Sequence, residues 1–204
     1  MIFDGITALD AVGPYEVFRS VPGWEVEFVA PKRGEVRTDH GALGLSADKS
    51  LGESVETDIL LVPGGRGNRP LLEDEEVLSW VREISSQARW TTSVCTGSLV
   101  LGAAGLLEGR RATGHWLQLE PLRDYGAEPV NERFVEDGDV ITAAGVSAGI
   151  DMALYLVGRE AGPEVAQAVQ LGIEYDPQPP YDAGSPLKAP APIVDAVTAV
   201  ARNR

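Results

Sequence analysis

Trp90-Thr-Thr-Ser-Val-Cys95-Thr-Gly-Ser-Leu-Val-Leu-Gly-Ala-Ala104 decides how the rest of the chain is read. Its first half is β-branched and apolar without a helical period, the mark of a strand covered on both faces. Its second half, 96–104, is rich in small residues and reads as a helix. A buried strand that meets a helix at a cysteine has the layout of a nucleophile elbow, in which a sharp turn exposes the side chain above the helix start. Backbone N–H groups and the positive helix end favour a thiolate there, and Gly97 lets other groups approach the turn. The alternative is an inert buried cysteine, the common fate of a lone one.

Outward from this unit, apolar runs alternate with helical patterns. Trp24-Glu-Val-Glu-Phe-Val-Ala30 alternates before Pro31 and predicts a strand. Segments 35–38 and 43–46 read as short strands around Asp39-His40-Gly41, with His40 at the surface. Asp58-Ile-Leu-Leu-Val-Pro63 is a second strand covered on both faces. A helix is expected over 73–88, with acids in its first turn and Arg89 at its end. Phe134-Val135 and Val140-Ile-Thr142 flank Glu136-Asp-Gly-Asp139 as a hairpin. Helices are expected over 147–161 and 163–173, parted by Gly162. The six prolines of 176–192 make that segment a loop, and 193–201 a closing helix. Alternating strands and helices imply an α/β, doubly wound, mostly parallel sheet. Ligands bind outside the carboxyl ends of such strands. Met1-Ile-Phe3 is only the stub of a first strand, which reads as truncated.

The composition narrows the function. At 204 residues, 44% hydrophobic and 24% charged, one domain over 1–204 is expected. A net charge of −14 argues against binding nucleic acid or an anionic membrane through a general field. The single cysteine excludes an internal disulfide, and with two histidines it gives no basis for a structural zinc site. No apolar run approaches the roughly 18 residues that span a bilayer. Met1-Ile-Phe-Asp runs into folded-looking sequence without a leader, so a cytoplasmic location is expected.

Other candidate site residues gather at the same kind of position. Gly64-Gly65 ends the 58–63 strand, where backbone N–H groups can face a pocket, or simply make a tight turn. Asp10 lies among apolar neighbours in Thr7-Ala-Leu-Asp-Ala-Val-Gly-Pro14 and needs a partner if buried; the duller reading is a helix-start acid. Glu16 reads as a structural pair or cap. His115, in Thr113-Gly-His-Trp116, can move protons near neutral pH or sit hydrogen-bonded in the core. Gly145-Val-Ser-Ala-Gly149 opens a helix whose amides can line a pocket, although N-capping is the ordinary use of Ser147.

Together these residues resemble the DJ-1/PfpI superfamily over nearly the whole chain. The likeness is carried by Leu9-Asp-Ala-Val-Gly-Pro14, Val62-Pro-Gly-Gly65, Ser93-Val-Cys-Thr-Gly97 and Ala144-Gly-Val-Ser-Ala-Gly-Ile-Asp151. The run from Ser93 to Leu107, His115-Trp116 and Glu174-Tyr-Asp-Pro-Gln-Pro-Pro-Tyr-Asp-Ala-Gly-Ser-Pro186 are similar to the bacterial isonitrile hydratase branch. The resemblance implies a flavodoxin-like, class I glutamine amidotransferase-like sheet with helices on both faces. It also implies a homodimer, and Trp80, Trp90 and 176–192 are the places to look for its interface. It makes Cys95 the nucleophile, Asp10 the acid beside it and Thr96 the following residue of the hydratase pattern, with His115 a possible further catalytic group. Gly64, Gly65, Gly145 and Ser147 become substrate or oxyanion contacts, and no metal or organic cofactor is called for. PfpI-type peptidases carry histidine directly after the cysteine; Thr96 stands there instead, which counts against proteolysis. The implied reaction hydrates a small isonitrile to an N-substituted formamide through a thioimidate on Cys95. The alternatives are glyoxalase or deglycase chemistry on small oxoaldehydes, and a non-enzymatic redox or stress role for Cys95.

Overall fold

The computed structural model describes residues 1–53 and 56–202. By contacts the chain divides into two units, 1–173 and 174–204. In the first unit the helices are α1 (Ala8–Phe18), α2 (Glu75–Gln87), α3 (Gly97–Ala103), α4 (Ala148–Glu160) and α5 (Pro163–Gly172). Its strands are β1 (Val29–Ala30), β2 (Gly34–Arg37), β3 (Gly44–Ala47), β4 (Lys49–Ser50), β5 (Ile59–Val62), β6 (Trp90–Val94), β7 (Arg111–Ala112), β8 (Glu128–Pro129), β9 (Phe134–Asp137) and β10 (Val140–Ala143). The second unit carries the proline-rich loop and α6 (Ala191–Arg202).

The central sheet runs β5-β6-β10-β9. β5, β6 and β10 are parallel, and β9 closes one edge antiparallel through the expected hairpin. All five residues of β6 are buried, as a strand with helices on both faces requires. Helices α1, α4 and α5 pack with one face, while α2 and α3 pack with the other. Two apolar clusters fill these layers, one centred on Val100, Leu101 and Val81, the other on Met152, Leu156 and Ile141. This is the flavodoxin-like, doubly wound arrangement. α2 starts where its capping chemistry says it should: Asp74 accepts the amides of Glu76 and Val77.

Two expectations change. The strand expected over 24–30 pairs only at Val29–Ala30, next to β4; residues 24–28 have no ladder partner. Helix α1 entered the sequence reading only as the helix start that Asp10 could mark, and Asp10 does lie in its first turn; Gly13 and Pro14 lie inside it and both count against a helix interior. Tertiary packing overrides that local penalty. Ile150 and Leu9 crowd the space beside Gly13, and Pro14 packs against Gly149 at the α1–α4 contact.

Candidate active site

The site forms where β5, β6 and the turn after β10 end together. Cys95 follows β6 directly, with φ at 60°. Outside glycine that left-handed geometry is uncommon and strained, and it marks the sharp turn of a nucleophile elbow. The Cys95 amide is anchored by the carbonyls of Ala143 at 3.0 Å and Ala144 at 3.1 Å. Ser98 Oγ donates to the Cys95 carbonyl at 3.1 Å. The thiol accepts backbone N–H bonds from Thr96 and Val146. Val146 is itself at φ 35°, an outlier for a β-branched residue, so two strained turns converge on one sulfur.

Asp10 reaches the thiol from α1. It is wholly buried, its Oδ2 accepts the Gly64 N–H at 2.9 Å, and its carboxyl lies in contact with Cys95. Oδ1 has no hydrogen-bond partner among the described residues. The start of α1 is locked to the loop after β5 by Thr7 N–H to the Gly64 carbonyl at 3.0 Å and Gly67 N–H to the Gly5 carbonyl at 3.1 Å. Close approach explains Gly64: a Cβ there would lie 2.5 Å from Thr96 N and 2.9 Å from Asp10 Oδ2.

Burial dominates the electrostatics. It raises the Asp10 carboxyl to about 7, against the Gly64 N–H and the Cys95 thiol, which favour the anion, while the charge of Asp39 adds to the rise. Burial and the neighbouring Asp10 charge push the Cys95 thiol up to about 12, despite the Val146 and Thr96 amides. Burial thus works against the thiolate that the turn and its amides favour, and the two groups titrate as a coupled pair. The carboxyl ionises before the thiol, so above about pH 7 a carboxylate stands beside a neutral thiol and can act as its base.

The glycine amides also take a different task from the one expected. Gly64 N–H is spent on Asp10, and Gly65 N–H donates to Thr96 Oγ1 at 3.0 Å. Both position the pair rather than standing open to an oxyanion. Thr96 is held a second time, through its carbonyl, by Nδ2 of the buried Asn68 at 3.0 Å. Asn68 carried no sequence signal, since an asparagine in a glycine-rich loop is unremarkable in itself, whereas Val146 belongs to the 145–149 run whose amides were expected to line a pocket, and its N–H reaches the sulfur. Ser147 is exposed, makes no cap and accepts from Arg133 Nη2 at 3.1 Å, so its hydroxyl is not the expected cap. Glu16 pairs with Arg19, as a structural role predicts.

His115 is half-buried, and burial lowers its pKa, which keeps it neutral. Its Nδ1 accepts the Leu117 N–H at 3.3 Å, which leaves Nε2 to carry the proton. The ring lies against Gly145, where a Cβ would come within 2.7 Å of Cδ2. The preceding Gly114 packs on the Cys95 carbonyl. His115 therefore flanks the elbow beside the 145–147 turn. Among the described residues no group of three or more His, Cys, Asp or Glu side chains is placed to hold a metal, and no helix is long and apolar enough to cross a membrane.

A strained cysteine elbow on a doubly wound sheet, faced by a buried acid from the first helix, defines a class of cysteine-centred α/β proteins. The chain belongs to the DJ-1/PfpI family, whose model matches residues 1–159. It is 46% identical over 195 residues to an isonitrile hydratase of Pseudomonas putida, covering 96% of this chain and 85% of that protein. A crystal structure of a ThiJ/PfpI family protein from Pseudomonas syringae superposes with a TM-score of 0.95 at 38% identity, covering 99% of this chain and 84% of the other. A deglycase of Pyrococcus horikoshii is 29% identical over 138 residues, 66% of this chain and 81% of that protein.

Proposed function

We propose that this protein is a cysteine-dependent isonitrile hydratase acting on a small isonitrile. The observation that carries this is the wholly buried Asp10 carboxyl in contact with the Cys95 thiol at a strained elbow. An isonitrile carbon must gain a nucleophile and a proton. Asp10 takes the thiol proton as sulfur attacks that carbon, and returns it to the same carbon, leaving the thioimidate R–N=CH–S on Cys95. Asp10 is again a carboxylate. It next removes a proton from water as the oxygen adds to the thioimidate carbon and passes that proton to the nitrogen, giving R–NH–CH(OH)–S on Cys95. The C–S bond then breaks as the hydroxyl proton is moved by Asp10 to sulfur, which leaves toward the Thr96 and Val146 amides, and R–NH–CHO departs. One water is consumed, and no oxidant or reductant is needed.

The 46% identity to an isonitrile hydratase along nearly the full chain supports this reading. The test is formamide formation from cyclohexyl isocyanide beside a Cys95→Ala control. Turnover is expected to vanish in that variant while its circular dichroism and melting stay close to the parent. Full activity in folded Cys95→Ala protein overturns the scheme.

Oxoaldehyde chemistry is a second reading, supported by the neutral His115 beside the elbow and by the deglycase relative. Lactate from methylglyoxal, lost in His115→Ala, would favour it over hydration. The redox reading is less well supported, because sensor thiols are accessible and of low pKa, whereas Cys95 is 5% exposed and raised. We further propose a cytoplasmic homodimer. The lone cysteine suits a reducing compartment. Ile193, Val197 and Val200 form an exposed apolar stripe along α6 that suits a second copy. Trp80 and Trp90 are buried and are withdrawn as interface residues.

A further inference from the structure

The tip of the β2–β3 hairpin reaches the start of α1. Gly5 N–H donates to the Arg37 carbonyl at 2.7 Å, Arg37 N–H donates to Asp4 Oδ1 at 2.8 Å, and Asp39 N–H donates to the Ile6 carbonyl at 2.9 Å. Ile6 bridges Thr38 on one side and Gly65 on the other. The tip is closed by Thr38 N–H to the Leu43 carbonyl at 3.0 Å and by Gly41 N–H to the Thr38 carbonyl at 2.8 Å. Segment 4–7 is therefore held between the hairpin and the turn after β5, and the backbone of Asp39 is fixed against it.

The Asp39 side chain is fixed as well. Thr7 stands at the N-cap of α1, where a threonine ordinarily accepts a helix amide. It makes no such cap; its Oγ1 donates instead to Asp39 Oδ2 at 3.2 Å. The Thr7 N–H meets the Gly64 carbonyl, and the Thr7 carbonyl accepts the Asp10 N–H at 3.1 Å. One residue thus joins the hairpin, the turn after β5 and the first turn of α1. Asp39 is half-buried and forms no ion pair among the described residues. The positive end of the helix favours a carboxylate at this place. Thr7 and Asp10 lie within one turn of each other, so a charge held at Thr7 stands close to the Asp10 carboxyl. The other groups around that carboxyl are the Gly64 N–H and the Cys95 thiol, with the neutral His115 beyond the elbow. Arg66 is exposed, Glu16 at the far end of α1 pairs with Arg19, and Asp151 of α4 accepts from Arg133 Nε at 2.6 Å.

We propose that Asp39 is a positioning residue for the acid of this site: held by Thr7, its carboxylate fixes the start of α1 and sets a second negative charge beside the Asp10 carboxyl. Repulsion between the two favours the protonated form of Asp10, the direction that burial already sets. Asp10 gives and takes a proton in turn, and an acid that titrates near the working pH does both. Asp39 acts through Asp10. Its effect on turnover rests on the hydratase reading, whereas its effect on the titration of Asp10 is independent of any substrate.

The test is a carbon-13 NMR titration of the aspartate carboxyls, with the Asp10 signal assigned by its loss in Asp10→Asn. The pH profile of kcat/KM on cyclohexyl isocyanide is measured beside it. Asp39→Asn keeps an acceptor for the Thr7 hydroxyl and removes the charge. Its Asp10 midpoint should move to lower pH by about half a pH unit or more, and the rising limb of kcat/KM should move with it. Asp39→Glu keeps the charge and should stay closer to the parent on both readouts. Thr7→Val frees the Asp39 carboxylate and should shift both in the same direction as Asp39→Asn; it decides the matter if Asp39→Asn does not fold. An unmoved Asp10 midpoint in the deciding variant, or an equal shift in Asp39→Glu, overturns the inference, since a purely structural Asp39 would lower Tm without moving the midpoint. A moved NMR midpoint with an unmoved rate profile upholds it and counts instead against Asp10 as the proton carrier of isonitrile hydration.

Discussion

Replacing Asp10 by asparagine should make the protein more stable at pH 8 and nearly inactive. The shift of this carboxyl from 3.8 to about 7 is set mainly by burial. For an acid raised on folding, the folded state holds its proton to higher pH than the unfolded state. Stability from this group is therefore complete below about 4, falls as pH rises through the folded value near 7, and stays low above it. Three units at about 1.4 kcal/mol each put the cost of the buried carboxylate on the order of 4 kcal/mol at pH 8. Asparagine carries no charge, and its amide oxygen still accepts the Gly64 N–H, so Asp10→Asn should recover part of that cost at pH 8 and none at pH 4. Without the Asp10 charge the Cys95 thiol should also titrate lower, because that charge helps to hold it up. The variant has nevertheless lost the base, and turnover should fall about 10²–10⁴-fold. In the parent, kcat/KM should rise with pH through about 7 as Asp10 ionises, then level off. Urea unfolding at pH 4 and pH 8, ultraviolet thiolate titration and the pH–rate profile measure these three effects. An asparagine variant that is less stable than the parent at pH 8, with an unmoved thiol titration, would refute the account of the pair.

Gly64→Ala places a methyl 2.5 Å from Thr96 N and 2.6 Å from Thr96 Oγ1, so it should cost about 1–3 kcal/mol in thermal unfolding and lower kcat far more than it raises KM. Thr96→Val leaves the Gly65 N–H without its acceptor; a loss of about 1–3 kcal/mol and of turnover is expected, with Thr96→Ser restoring both, and a fully active valine variant would remove the hydroxyl from the positioning scheme.

The elbow was legible because its information is local. β-branched residues up to Val94, small residues from Gly97, and a cysteine between them predict strand, turn and helix from neighbours alone, and β6 and α3 lie where that pattern puts them. The hairpin around Gly138 and the helix α2 capped by Asp74 were legible in the same way. α1 was not, because Gly13 and Pro14 count against it locally and only the packing against α4 compensates. The resemblance put Asp10, Gly64, Gly65 and Thr96 with Cys95, but the hydrogen bonds that join them were not legible. Asp10 meets Gly64 across 54 residues and Gly65 meets Thr96 across 31, and no period or motif records such a distance.

Sequence by itself determined the alternating α/β order, the elbow at Cys95 and the candidacy of an acid among apolar residues at Asp10. Tertiary structure alone decided what the glycine amides do, that Asn68 belongs to the site, and that burial raises both members of the acid–thiol pair. The physical reason is desolvation. A charge on Cys95 or Asp10 is priced by how much of the protein closes over it, and burial outweighs the N–H groups that a sequence reading places at the same turn.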